Sequence, residues 1–151
     1  MSQSLAQVYL HLVFSTKSRR PWLDDDVLRD EAHRFLGRTC NDLACPVLRV
    51  GGIADHVHLL CRLGRSTAIA ELVKELKRTS SQWIKTKMAT LEDFQWQTGY
   101  GAFSVSPGHV EPLVHYVENQ AEHHRSETFQ DEFRRLLEKY GLQWDERYVW
   151  D

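Results

Sequence analysis

Between Thr67 and Met88 the residues Ile69, Leu72, Val73, Leu76, Ser80, Trp83 and Ile84 recur at i, i+3, i+4, i+7, i+11, i+14 and i+15. This is the spacing of a long amphipathic helix with one face buried, and Ser66 is its expected cap. Such a helix must lie on something, and the segments around it read as strands. Val8, Leu10, Leu12 and Phe14 alternate with Tyr9, His11 and Val13, which predicts a strand from about Ala6 to Phe14. Val47, Leu48 and Val50 precede Gly51-Gly52, and His56 to Leu63 follow, which predicts an antiparallel hairpin. Asp24 or Asp25 caps an earlier helix whose apolar face is Val27, Leu28, Phe35 and Leu36 and which stops near Asn41. Tyr100 to Val105 is a short strand, Ser106-Pro107 opens a helix running to about His124, and a last helix spans Thr128 to Tyr140 before Gly141. The order β-α-β-β-α-β followed by two helices predicts an α+β, ferredoxin-like fold. Its antiparallel sheet carries helices on one face, with C-terminal helices added.

The 151 residues, 42% hydrophobic and 26% charged, suffice for one core, and no linker or repeat divides them, so residues 1–151 are read as one domain. The formal charge is only −2, so no overall field draws the chain to polyanions. The charge is nevertheless segregated. Residues 62–110 carry seven bases and four acids, and residues 111–151 carry five bases and ten acids. Contact with nucleic acid must therefore be local. No apolar run approaches the ~20 residues of a membrane span, and the N-terminus lacks a signal-peptide pattern, so a cytoplasmic protein with no membrane partner is expected. Cys40, Cys45 and Cys61 form no paired motif and read as reduced packing residues.

Chemistry concentrates at three places. His56 and His58 flank Val57 in a strand, so both imidazoles project to one face while Val57, Leu59 and Cys61 project to the other. Two such ligands can share one metal, although a strand HxH also serves as ordinary packing. Tyr116 and Gln120 lie one turn apart on the helix after the last strand, with His123 on the same side. Lys74, Arg78, Ser81 and Lys85 form a stripe opposite the apolar face of the long helix, with Lys77, Lys87, Arg62 and Arg65 beside it. Lys17, Arg19 and Arg20 follow the first strand. A stripe of this kind is either a solvated face or a track for a DNA backbone, and the second reading is adopted for Lys17, Arg19, Arg20, Lys74, Lys77, Arg78 and Lys85. Trp22, Trp96 and Tyr100 either stack bases or anchor the core. His11, on a strand expected beside the HxH strand, either supports the site or packs.

The stretches His11-Leu-Val-Phe-Ser-Thr-Lys-Ser-Arg-Arg20, Asp55-His-Val-His-Leu-Leu60, Gly99-Tyr-Gly-Ala-Phe-Ser-Val-Ser106 and Tyr116-Val-Glu-Asn-Gln120 together resemble the single-tyrosine HUH transposases. These are the enzymes of the insertion sequence 200/605 type and their REP-associated relatives. The resemblance spans nearly the whole chain. It implies that His56, His58 and Gln120 bind Mg²⁺ or Mn²⁺, that Tyr116 attacks DNA, and that single-stranded DNA with hairpin structure is cut and rejoined through a phosphotyrosine. It implies a homodimer whose active sites can join the histidines of one subunit to the tyrosine helix of the other. No nucleotide cofactor is needed, in keeping with the lack of a GxxxxGK[ST] loop. The rival expectations are a non-catalytic hairpin DNA- or RNA-binding protein or repressor, and a phosphodiesterase that uses water in place of Tyr116.

Overall fold

The structure, a computed structural model, describes residues 2–151. Four strands form one antiparallel sheet in the order β2-β3-β1-β4, where β1 is Tyr9–Ser15, β2 Val47–Ile53, β3 His56–Arg62 and β4 Gly101–Val105. Helices α1 (Asp26–Asp42) and α2 (Ile69–Lys85) connect them in the ferredoxin-like manner. Leu72, Val73, Leu76 and Ile84 of α2 join Leu28, Ala32, Leu36 and Cys40 of α1 against Leu10, Leu12, Phe14, Val57, Leu59 and Cys61, all buried. Period-2 alternation along β1 and β3 thus sends one set of residues into this core. The other set, His56, His58, Val13 and His11 among it, faces the opposite side.

That opposite side is covered by α3 (Val110–Glu118), α4 (Gln120–His123) and α5 (Phe129–Lys139). Val13 and Phe103 of the sheet meet Phe129, Phe133, Leu136 and Leu137 of α5 in a second core, against which Trp144, Val149 and Trp150 of the tail also pack. Two glycines allow the close approach. A Cβ on Gly51, which pairs with His58, would lie 2.1 Å from the Val117 carbonyl oxygen, and one on Gly101 would lie 2.6 Å from the Phe133 ring.

The element boundaries differ from the sequence expectation where the ladder or a loop decides them. β1 begins at Tyr9 rather than Ala6, because Tyr9 is already opposite Arg62 and Val105, the last residues of β3 and β4. Asp25 caps α1 as expected, accepting from the Leu28 amide at 2.8 Å. Ser66 does not cap α2; Ala68 occupies the cap without a side-chain bond, and residues 64–67 form a turn closed by Thr67 N–H to Gly64 O. The helix expected from Ser106 to His124 is in three pieces. Pro107–His109 is a 3₁₀ turn, and α3 ends at Glu118, the amide of its cap Asn119 bonding back to His115 O before α4 starts. The three cysteines are free and buried, as expected. No helix among the described residues is long and apolar enough to cross a membrane.

Candidate active site

The site is a buried cluster between β3 and the three C-terminal helices. His56 and His58 are fully buried on β3. Gln120, at the start of α4, places Oε1 2.9 Å from His56 Nε2 and 3.0 Å from His124 Nε2. Glu132 of α5, also fully buried, places Oε1 2.8 Å from His58 Nε2, 3.2 Å from His124 Nε2 and 3.4 Å from His56 Nε2. Three imidazole Nε2 atoms and two oxygens therefore converge on one point.

Each ring is held in that orientation from behind. His56 Nδ1 donates to Asp55 Oδ1 at 2.7 Å, His124 Nδ1 donates to the Glu127 carbonyl at 2.6 Å, and His58 Nδ1 lies 2.8 Å from Nε2 of His11. With each Nδ1 so engaged, the Nε2 atoms point inward. A metal-binding histidine is ordinarily oriented in this way by an outer carboxylate or carbonyl. Ligand atoms of His56, His58, His124 and Glu132 all lie within 4.8 Å of one another, a spread that one ion can bridge. Nitrogen, carboxylate and amide oxygen donors fit a divalent cation of borderline character such as Mn²⁺ as well as harder Mg²⁺.

Burial pulls the His56 imidazolium down, but the Asp55 and Glu132 hydrogen bonds outweigh it and raise the group to about 9. His58, without a second carboxylate, is lowered by burial to about 4. Burial likewise lowers His11, helped by the charge of His58. Burial works against the Glu132 carboxylate, yet bonds from His124, His56 and His58 hold it far below the usual carboxylate range. A buried charge of this kind demands cationic partners.

Tyr116 stands at the edge of the cluster, its ring 5.8 Å from that of His58. Its hydroxyl donates to Glu132 Oε2, accepts from Arg135 Nη2 at 3.0 Å and lies 3.3 Å from His123 Nε2. Arg135 is itself fixed by Glu127 at 3.1 Å. Burial, then the charge and hydrogen bond of Glu132, push the phenol up, while Arg135 pulls it down in part.

One chain thus brings together His56, His58, Tyr116 and Gln120, and His11 supports His58. Tyr116 and the histidine pair need no second subunit to meet. The structure does not bring the α2 stripe to them. α2 packs on the other face of the sheet, where Lys74, Arg78 and Lys85 are exposed and Arg78 is paired with Glu75 at 2.6 Å. Lys77 is not a free cation. Its ammonium donates to the carbonyls of Gln97, Thr98 and Gly99 at 2.8, 3.1 and 2.6 Å, and burial lowers it to about 8. Lys17 is exposed, while the guanidinium groups of Arg19 and Arg20 lie over Trp150 and Trp22 at 5.6 and 4.2 Å. Trp96 is a core anchor, edge-on to Phe14 and Phe94 with its indole N–H on Ser80.

Sequence reasoning missed His124, Glu132 and Arg135. The signal for Glu132 was present, since it stands in the middle of the apolar face Phe129, Phe133, Leu136 and Leu137, where an unpaired carboxylate would be costly.

Solved structures show the fold class. A candidate transposase from Deinococcus radiodurans R1 shares 24% identity over 80% of this chain and 98% of its own, with a TM-score of 0.61. A REP-associated tyrosine transposase solved bound to a REP hairpin shares 13% identity over 82% of this chain and 74% of its own, with a TM-score of 0.59. None of the curated proteins matches this chain. The profile of the IS200-like transposases matches residues 4–120, and the chain belongs to that family. Glu132 and Arg135 lie beyond the matched stretch.

Proposed function

We propose that this protein is a transposase that cuts and rejoins single-stranded DNA through a covalent bond to Tyr116, with a divalent cation, Mg²⁺ or Mn²⁺, held by His56, His58 and Gln120 and joined by His124 and Glu132. The observation that carries the reading is the set of three imidazoles turned inward by Asp55, His11 and the Glu127 carbonyl, directly beside a tyrosine hydroxyl.

A phenol is a weak nucleophile near neutral pH, and here Glu132 makes its ionisation harder still. A bound cation would offset the Glu132 charge and polarise a phosphate oxygen. The Tyr116 oxygen then attacks phosphorus in line, the P–O3′ bond breaks, and the departing 3′ oxygen takes up a proton. Glu132 Oε2, already bonded to the hydroxyl, is the first acceptor for the phenol proton, and Arg135 offsets charge on the oxygen. The phosphotyrosine ester keeps the bond energy, so a later 3′-OH can reverse the step without a nucleotide cofactor. Family membership and the hairpin on the REP-associated neighbour support hairpin DNA as the ligand.

The test is incubation with single-stranded oligonucleotides from the flanks of the protein's own gene, with Mg²⁺ or Mn²⁺, followed by denaturing electrophoresis. A denaturation-resistant protein–DNA band is expected. Cleavage without such a band would identify water as the nucleophile, and binding without cleavage would identify a hairpin-binding protein.

A further inference from the structure

Glu132 turns only one of its oxygens to the inward-facing imidazoles. Oε1 lies 2.8 Å from His58 Nε2 and 3.2 Å from His124 Nε2, whereas Oε2 accepts from the Tyr116 hydroxyl and lies 3.5 Å from His123 Nε2. A second set of metal-ligating groups meets at Oε2. His123 closes α4, Glu127 stands between α4 and α5, and their ligand atoms and that of Glu132 all lie within 4.8 Å of one another. His123 Nε2 is 2.5 Å from Glu127 Oε2. A guanidinium is already seated against this set. Arg135 Nη2 is 3.0 Å from the Tyr116 hydroxyl, 3.2 Å from Glu127 Oε2 and 3.3 Å from His123 Nε2.

We propose that His123, Glu127 and Glu132 form a second divalent-cation position, that the Arg135 guanidinium supplies its positive charge, and that a transition-metal ion enters when Arg135 is removed. Arg135 then stands to the tyrosine oxygen as a second ion would, a role that rests on the reading of Tyr116 as the attacking group.

Enzymes that displace at phosphorus with two ions hold them about 3.5–4 Å apart, one at the attacking and one at the leaving oxygen. A carboxylate bridges such a pair by giving one oxygen to each ion, and the two oxygens of Glu132 are divided in this way between the two clusters. Glu127 also serves both, since its carbonyl orients His124 at 2.6 Å while its carboxylate holds Arg135. One imidazole with two carboxylates is a donor set that Mn²⁺ accepts. Two carboxylates also need positive charge, and Arg135 is the only Lys or Arg within 4.0 Å of either one among the described residues. A guanidinium keeps that charge at any working pH and is not lost to a chelator. All four residues lie beyond the stretch that the family profile matches.

The experiment is Mn²⁺ titration of the full chain, read by electron paramagnetic resonance, for wild type, Arg135→Ala, and Arg135→Ala combined with Glu127→Gln. The Arg135 side chain is 47% exposed, and α5 packs through Phe129, Phe133, Leu136 and Leu137, so its loss leaves the core intact. Arg135→Ala is expected to bind about one Mn²⁺ per chain more than wild type, and adding Glu127→Gln should abolish the extra ion. Two ions sharing Glu132 couple magnetically, so loaded Arg135→Ala should give a spin-coupled spectrum that wild type lacks. An unchanged ion count in Arg135→Ala, an extra ion that survives Glu127→Gln, or an extra ion uncoupled to the first would overturn the second position. A Tyr116–DNA adduct in wild type with no extra ion in Arg135→Ala would overturn it and leave the proposed function standing. An extra, coupled ion without any adduct in wild type would uphold it and overturn the proposed strand transfer.

Discussion

At the scale of single residues, the direction of each imidazole in the cluster is set from behind. Asp55 does not face the proposed metal, yet it fixes His56 by accepting a hydrogen bond from its Nδ1. Asp55→Ala is therefore expected to weaken Mn²⁺ binding about 10- to 100-fold, measured by the free-ion signal in electron paramagnetic resonance. Unchanged affinity would mean that His56 is not a ligand. His56→Ala should lower cleavage, with partial recovery in excess Mn²⁺, because a site short of one ligand binds more weakly in the same place. The HxH pair, Tyr116 and Gln120 were legible in sequence because alternation and the one-turn spacing fix their faces locally. His124 and Arg135 were not legible, because their role depends on how α4 and α5 pack across the sheet, which no local period encodes.

At the scale of elements, the tyrosine helix is positioned by a missing side chain. Gly51 lets the Val117 carbonyl lie directly on β2 opposite His58. Gly51→Ala would force α3 outward, so cleavage should drop sharply while α1, α2 and their core persist. Near-normal cleavage in this variant would show that α3 does not need its present seat. The long helix was the clearest element in sequence, and it is present, but its basic stripe divides. Reversing charge at Lys74, Arg78 and Lys85 is expected to weaken DNA binding and flatten its salt dependence if the stripe meets phosphates, and an unchanged slope would assign it to solvation. Lys77→Met should act differently, lowering stability by about 1–3 kcal/mol through the carbonyls it leaves unpaired. Periodicity could not show this, because the clamp depends on the loop at Gln97–Gly99 folding back over α2.

At the scale of the whole molecule, the cluster should make stability in EDTA depend on pH with a maximum near 6.5. Below that value His11 and His58, lowered by burial, bind fewer protons folded than unfolded, so stability falls as pH falls toward about 4. Above it His56, raised to about 9, holds a proton that the unfolded chain has lost, so its contribution fades as pH climbs through 9. Urea unfolding across pH 5–9.5 checks this, and a flat profile would contradict it. Because one chain places Tyr116 beside the histidine pair, we propose that the site works within one subunit. We expect pairing, if sedimentation detects it, to leave the cleavage rate per chain unchanged. In the proposed reaction the Tyr116 oxygen becomes bonded to DNA. Mass spectrometry of the protease-digested reaction with Mn²⁺ and single-stranded oligonucleotide should find the nucleotide mass on the peptide containing Tyr116, and none in Tyr116→Phe. A nucleotide on any other peptide, or cleavage by Tyr116→Phe at the wild-type rate, would contradict the account.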